Sequence, residues 1–195
     1  ASSSGATALD GLSDAKSGGT DFADSLIIGH QTTGTLSSAS KNTAIGYTAM
    51  DAITSGWGNT VMGFDAAGIL TTGLNNTMIG YNSGEELSTG NYNTAVGVGY
   101  ASSGGPAIGN YNNALGTLAL RKIAGGQYNA AFGSSALESL TSGSRNIAIG
   151  HQAGTDFDAE SDNIAIGYNA LSGGSYAANY NIVMGTEAAD ALTTG

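Results

Sequence analysis

The segment from Asn42 to Gly58, NTAIGYTAMDAITSGWG, decides the fold because the chain keeps repeating it. NTVMGFDAAGILTTGLN, which starts at Asn59, has the same pattern, and so has NAAFGSSALESLTSGSR, which starts at Asn129. A glycine recurs ten times from Gly29 to Gly185, and seven of the nine spacings are 17 residues. A fixed period of this kind indicates small units that must stack on one another to bury apolar surface.

The repeat predicts an all-β protein. No copy contains a long apolar stretch with a period of about 3.6 residues and no interior glycine, as a helix would require. Strands of about five residues between glycine turns fit the pattern. We therefore expect a β-solenoid of about ten coils over residues 25–195, preceded by a polar lead-in or linker over residues 1–24. Each coil would lengthen the rod by ~4.8 Å.

The composition favours a thin rod and excludes several classes of function. The 195 residues include 32 glycines, four phenylalanines and one tryptophan, so few bulky groups are available for a globular core. A net charge of −10 excludes nucleic acid as a partner. There is no cysteine for a thiolate metal site, and no apolar run of about 18 residues for membrane insertion. We see no cofactor motif and no catalytic constellation, so we expect no enzyme activity.

Two adjacent apolar positions precede each glycine, one small, as at Ala44 and Ala148, and one bulky. Neighbouring residues of a strand point to opposite faces, so both faces of the predicted sheet require burial. One row would fill the narrow coil and the other would face a partner chain, for which an identical copy is the default. The residues alone leave open which row does which. The bulky candidates for the core or the trimer contact are Ile45, Ile79, Leu115, Phe132, Ile149 and Ile166.

A glycine and an asparagine mark the units. We expect the glycine to turn the backbone with positive φ, at Gly46, Gly63, Gly80, Gly97, Gly133, Gly150 and Gly167. We expect the asparagine four residues earlier to stack its amide on those of adjacent coils, at Asn42, Asn59, Asn76, Asn93, Asn129, Asn146 and Asn163. Because a ligand site is rarely copied in every turn of a solenoid, we interpret both rows as structural.

The pattern is irregular in the coils at residues 93–111 and 163–180, and the last coil stops inside a repeat, at Gly195. Extra residues bulge from a solenoid and can carry function, although neutral drift in an exposed turn is the simpler interpretation. If this segment binds a ligand, we expect the irregular corners to do so. Host-surface glycans are the first ligand to consider, stacking on Tyr100, Tyr111, Tyr176 and Tyr180.

Two other side-chain patterns have both a functional and a structural interpretation. An acidic segment could gather oxygens for Ca²⁺, but no glycine-kinked loop surrounds it, and a solvated corner is favoured. Its residues are Asp156, Asp158, Glu160 and Asp162. Aromatic residues recur at two positions of the unit, and ring stacking between coils explains them more simply than sugar binding.

Tandem units of the form NTAIGY-x-AL-x-x-LTTG resemble the repeats of bacteriophage tail-fibre proteins, most closely from Asn42 to Gly97 and from Asn129 to Gly167. The N-x-A-I-G half is also similar to the head repeats of trimeric autotransporter adhesins. The resemblance covers residues 25–195 and implies a homotrimeric, left-handed β-roll displayed outside a virion or a cell.

The sequence and the resemblance together predict a structural segment of a phage tail fibre or comparable virion appendage, located at the virion surface. Its expected partners are identical copies in a homotrimer, other fibre or virion proteins, and a host-surface glycan. The alternative is the head of a bacterial trimeric adhesin at the extracellular surface. An ice-binding solenoid is a lower alternative, because the row through Thr54 and Thr71 breaks at Ala124 and Asp158.

Overall fold

The computed structural model describes residues 15–17, 20–29, 35–103, 105–173 and 179–189. Across these residues the regular secondary structure is entirely β, without a helix. His30, Tyr176 and the predicted truncated coil after residue 189 lie outside them. The strands are β1 Ala15–Ser17, β2 Phe22–Ala23, β3 Leu26–Ile28, β4 Ala39–Ser40, β5 Thr43–Ile45, β6 Thr60–Met62, β7 Thr77–Ile79, β8 Thr94–Val96, β9 Asn113–Leu115, β10 Ala130–Phe132, β11 Ile147–Ile149, β12 Ile164–Ile166 and β13 Ile182–Met184.

The strands build a β-solenoid, which confirms the prediction from the repeat. β3 and β5 to β13 pair in parallel in chain order, so that ten stacked strands define nine turns. Thr43 pairs with Thr60, and Ile147 pairs with Ile164, which places equivalent repeat positions in straight columns along the rod. The two irregular coils keep the register of this sheet.

The strand of each coil has three residues, shorter than the five that the sequence predicts. Tight turns make up the rest of the coil and are also bonded from coil to coil, as from Met50 N–H to the Ala66 carbonyl at 3.0 Å. Non-glycine residues with positive φ recur in these turns, including Thr48 and Met50 after the glycine and Lys41 before the asparagine. The positions of the glycines do not predict these left-handed residues. Hydrogen bonds to neighbouring coils hold them in a conformation that a non-glycine residue rarely adopts alone.

The interior of the coil is narrow, and the small apolar row fills it. The middle residue of each strand from β5 to β12 points inward and is buried, at Ala44, Val61, Met78, Ala95, Ala114, Ala131, Ala148 and Ala165. A second buried column comes from the turns, with Ile53, Leu70, Leu87, Ile123, Leu140 and Phe157. The bulky row of Ile45, Ile79, Leu115, Phe132, Ile149 and Ile166 points to the outer face, so these residues do not form the core of the coil.

The N-terminal edge of the sheet is covered by residues that the sequence assigns to a linker. β1 pairs antiparallel with β3, with Lys16 opposite Ile27. β2 pairs in parallel with β4, and Phe22 is buried. An uncovered edge strand offers a row of backbone donors and acceptors to other chains. β1 covers that row on β3, so residues 15–17 and 22–23 belong to the solenoid and not to a linker.

Candidate functional site

The buried asparagine ladder fixes the strands that carry the outer surface. Asn59 donates from Nδ2 to Asn42 Oδ1 at 3.0 Å and to the Gly73 carbonyl at 2.8 Å. Its Oδ1 accepts from the backbone N–H and the Nδ2 of Asn76, at 2.9 and 3.0 Å. Each donor and acceptor of this amide is therefore satisfied. The ladder continues to Asn181, and Ser25 begins it by accepting from the Asn42 N–H.

The repeat glycines are required for two reasons. All ten have positive φ, between 120° and 143°. They also lie directly on one another, so that a Cβ on Gly116 would be 2.7 Å from the carbonyl oxygen of Gly133 in the next coil. The sequence indicates the backbone turn. It gives no signal for the close approach, which depends on exact stacking of the coils.

The outward residues of the strands form a continuous surface, which we call the outer strip. It consists of the first and third residues of β5 to β13. The strand-start column is Thr43, Thr60, Thr77, Thr94, Asn113, Ala130, Ile147, Ile164 and Ile182. The strand-end column is Ile45, Met62, Ile79, Val96, Leu115, Phe132, Ile149, Ile166 and Met184. In the strand-end column, Ile45 and Ile149 are 39% and 42% exposed.

The outer strip contains no charged residue, although the chain has a net charge of −10. An open depression of ≈ 150 Å³ lies on it, between Val96, Leu115 and Phe132. Soluble monomers rarely expose a contiguous apolar surface of this kind, and larger exposed patches mark interaction sites. The outer strip is therefore the candidate functional site.

Aromatic side chains stack between coils in columns. Tyr111 lies between Tyr92 and Tyr128, with ring centroids 4.8 and 5.0 Å apart and nearly parallel planes. A second set of stacked rings follows the repeat glycines, with centroid distances of 5.4 to 5.7 Å, and comprises Tyr47, Phe64 and Tyr81, and His151 with Tyr168. Such contacts stabilise the stack of coils.

The structure changes the set of candidate glycan contacts. Tyr100 is only 3% exposed, so the prediction that it stacks on a glycan is wrong. Both ring faces of Tyr111 are covered by Tyr92 and Tyr128, which leaves no face for a sugar. Tyr180 is 81% exposed and stays a candidate. Tyr176 lies outside the described residues.

Tyr100 instead has an unusual buried hydroxyl. Burial raises the pKa of this hydroxyl well above its ordinary value, and the neighbouring Asn112 side chain opposes part of the rise. Within the part of the chain that the structure describes, the Tyr100 hydroxyl makes no hydrogen bond of normal geometry. The ring therefore packs as a core residue, and its polar end is a cost to folding.

The acidic segment that includes Asp156 does not assemble a calcium site. Asp162 accepts two hydrogen bonds from Arg145, at 2.6 and 2.8 Å, and this ion pair holds the pKa of Asp162 below its ordinary value. Glu160 accepts from the backbone N–H of Asp158 at 2.6 Å. Among the described residues, no three histidine, aspartate or glutamate side chains converge to hold a metal ion. The carboxylates of Asp162 and Glu160 instead accept hydrogen bonds from different partners.

The hydroxyl row considered for ice binding makes hydrogen bonds from coil to coil. Thr54 Oγ1 donates to the Thr71 carbonyl at 3.0 Å, and Thr71 Oγ1 donates to the Ser88 carbonyl at 3.1 Å. Ser88 Oγ donates in turn to the Ala107 carbonyl at 3.0 Å. These hydroxyls bond to the next coil and do not form a free array for ordering water.

Comparisons of the chain with known proteins found no matching family model, no matching curated protein and no matching solved structure. Among the described residues, no helix is long and apolar enough to cross a membrane.

Proposed function

We propose that this chain is a structural segment of a fibre displayed at a virion surface, of the phage tail-fibre kind, and that it works as a homotrimer assembled through its outer strip. The observation that carries the proposal is the uncharged outer strip, with its continuous apolar strand-end column, on a rod whose charges lie elsewhere. Burial of apolar surface contributes roughly 25 cal/mol per Å². A strip with one bulky side chain per coil therefore gains from a partner along its whole length.

The spacing of the strip favours an identical chain as that partner. One bulky side chain is presented per coil, at steps of ~4.8 Å, and another copy of the solenoid offers the same step. Closed symmetry is the default for identical chains. The number three rests on the resemblance of the repeat to trimeric fibres, and three rods can direct their strips toward one axis.

The rod supports a role in reach and display. The asparagine ladder and the parallel sheet run through the same coils, so bending the rod requires breaking buried hydrogen bonds. Such a rod would hold other parts of a fibre at a distance from a particle and so contribute to host attachment. We propose this mechanical role in place of a catalytic one.

The test is to measure the mass of the chain in solution by sedimentation equilibrium and then to change the strip. The wild type is expected to have the mass of three chains. The double variant Ile149→Asp/Ile166→Asp should dissociate, because it buries unpaired carboxylates in an apolar contact. The matched control is Ile69→Asp/Ile108→Asp, which makes the same change at exposed isoleucines outside the strip. The control should keep the mass of the wild type.

A folded wild-type monomer at micromolar concentration would refute the proposal of self-association. The location is tested separately, by labelling intact particles with an antibody against residues 42–97. Labelling along a fibre supports the virion assignment, and labelling of bacterial cells that carry no particles would replace it with the adhesin.

A further inference from the structure

The strand-start column of the outer strip changes from polar to apolar along the rod. In β5 to β9 it contains Thr43, Thr60, Thr77, Thr94 and Asn113, and in β10 to β13 it contains Ala130, Ile147, Ile164 and Ile182. We call these parts the polar half and the apolar half. The change is ordered, because no isoleucine occurs in the first part of the column and no hydroxyl or amide in the second.

The strand-end column shows no such change. Ile45 and Ile79 occupy it in the polar half, and Ile149 and Ile166 occupy it in the apolar half. The polar half therefore presents one apolar column beside a column of hydroxyl groups and one amide. The apolar half presents two columns of apolar side chains, and so a wider apolar surface.

The two halves behave differently in a contact between chains. A buried hydroxyl or amide without a partner loses its hydration with no compensation, so the polar half gains least when water is expelled. An isoleucine in the same position gains from complete burial. Threonine and isoleucine are both β-branched and suit a strand equally, so the difference concerns the contact and not the formation of the strand.

We propose that copies of this chain are held together by the apolar half, and that the polar half forms a hydrated, weaker contact. The inference rests on the proposed self-association and assigns its strength to one end of the rod. The occupant of the surface is a second copy of this chain, since the strip carries no charge that would attract a charged partner and repeats at the step of the solenoid itself.

The change from polar to apolar residues along the strand-start column also favours one relative direction of the copies. In a parallel, in-register arrangement, Ile164 faces the apolar half of its neighbour, and Thr60 faces hydroxyl groups and water. In an antiparallel arrangement, the threonines would be pressed against the isoleucines, which would bury hydroxyls beside apolar side chains. The parallel arrangement avoids this cost.

The proposal is tested by two double variants that make the same change in the same column. Ile149→Thr/Ile166→Thr alters the apolar half, and Ile45→Thr/Ile79→Thr alters the polar half. Association is followed by sedimentation over a dilution series, and circular dichroism checks that each variant is folded. We expect the change in the apolar half to weaken association at least about tenfold more than the change in the polar half.

Equal weakening by the two variants, or greater weakening by Ile45→Thr/Ile79→Thr, would overturn the inference while leaving self-association in place. A wild-type monomer would instead refute the proposed function. If a variant does not fold, the reverse change replaces it, since Thr60→Ile/Thr77→Ile extends the apolar surface into the polar half. That variant should strengthen association, and an unchanged or weaker association would count against the inference.

Direction is tested by disulfide crosslinking, for which the cysteine-free chain is well suited. Single cysteines are introduced as Thr60→Cys and Ile164→Cys, and the two chains are oxidised separately and as a mixture. Crosslinks between identical positions, at residue 60 and at residue 164, support the parallel arrangement. A Thr60→Cys chain joined preferentially to an Ile164→Cys chain would show an antiparallel arrangement and overturn it.

Discussion

The regular coil that begins at Asn129 and the enlarged coil that begins at Asn93 keep the same ladders but fill their interiors differently. In the regular coil, Ala136 is the small core residue and Leu137 and Leu140 are the large ones, and all three are buried. In the enlarged coil, the first position holds Tyr100. The positions of the two leucines hold Ala101 and Ala107, and Ala107 pairs with Leu87 of the preceding coil. The large and small residues have exchanged places.

This exchange shows which features of the repeat are essential. The enlarged coil keeps its asparagine bond, from the Asn112 N–H to Asn93 Oδ1 at 2.9 Å, and its glycine bond, from the Gly97 N–H to the Ile79 carbonyl at 2.8 Å. The extra residues are accommodated between Ala101 and Ala107, before the next asparagine. The backbone ladders are therefore kept, while the core accepts a different distribution of large and small residues.

The largest expected effect comes from adding a methyl group to a glycine in the regular coil. In Gly133→Ala, the new Cβ would lie 2.6 Å from the carbonyl carbon of Gly150, so the coils must separate. We expect a loss of about 5 kcal/mol in the free energy of unfolding, measured by urea denaturation at fixed protein concentration. The control is Gly105→Ala in the enlarged coil, where φ is 90° and the added Cβ would meet no described atom within 4 Å apart from its chain neighbours.

Gly105→Ala should cost about 1 to 2 kcal/mol, from backbone strain alone. The difference between the two variants measures the close approach of the coils, apart from the conformational preference of glycine. Similar costs for both would show that positive φ is the whole reason for the repeat glycine.

The second largest effect on stability is expected for variants at Tyr100 and Ala107, which test the exchange of large and small core residues. Tyr100→Ala should destabilise the rod by about 3 to 5 kcal/mol, as expected when a large buried ring leaves a cavity. Adding Ala107→Leu should recover part of the loss, because leucine returns volume to the position where Leu140 stands in the regular coil. Tyr100→Phe is the control and should be neutral or stabilising, since it removes a buried hydroxyl that has no hydrogen-bond partner among the described residues. Additive effects of the Tyr100 and Ala107 changes would contradict the exchange.

The exchange also marks the limit of what the sequence can predict. The period, the register and the alternation of inward and outward residues follow from spacing alone, because stacking copies the same residue types into columns. Aligning the units places the insertion near Pro106 and leaves Tyr100 in an apparently exposed corner. Its burial accompanies small residues at Ala101 and Ala107, which is a relation between separate positions of the coil. β1 carries no repeat signal, so its place over the edge of β3 could not be predicted.

The third effect is the loss of stability on replacing the asparagine that begins a coil, compared between a regular coil and the enlarged one. Asn76→Ala removes a buried amide and leaves the Gly90 carbonyl and the Asn93 side chain without their bonds, which should cost about 2 to 3 kcal/mol. Asn93→Ala should cost slightly less. Its amide donates to Asn76 and the Gly109 carbonyl in the same way, but its Oδ1 accepts the N–H of Asn112 without the second, side-chain bond that Asn76 Oδ1 receives. Thermal or urea unfolding compares the two. A much smaller cost for Asn93→Ala would show that the insertion loosens the ladder.

The smallest effect concerns the residue before the asparagine, which is Tyr111 in the enlarged coil and Arg145 in the regular one. Tyr111 stacks on its neighbours, whereas Arg145 pairs with Asp162 and lowers its pKa. A carboxyl whose pKa is lowered in the folded state stabilises the protein above its unfolded pKa of about 3.9, and that contribution disappears as the pH falls through the folded pKa.

Arg145→Gln should therefore slightly lower the melting temperature at pH 7 and have no effect at a pH below the folded pKa of Asp162. The pair is exposed, so salt should also reduce the difference. Tyr111→Ala is the comparison variant, and its loss of ring stacking should be the same at both pH values and both salt concentrations. If the Arg145→Gln difference persists in acid and in high salt, Arg145 acts through packing of its side chain, and the two coils then use this position in the same way.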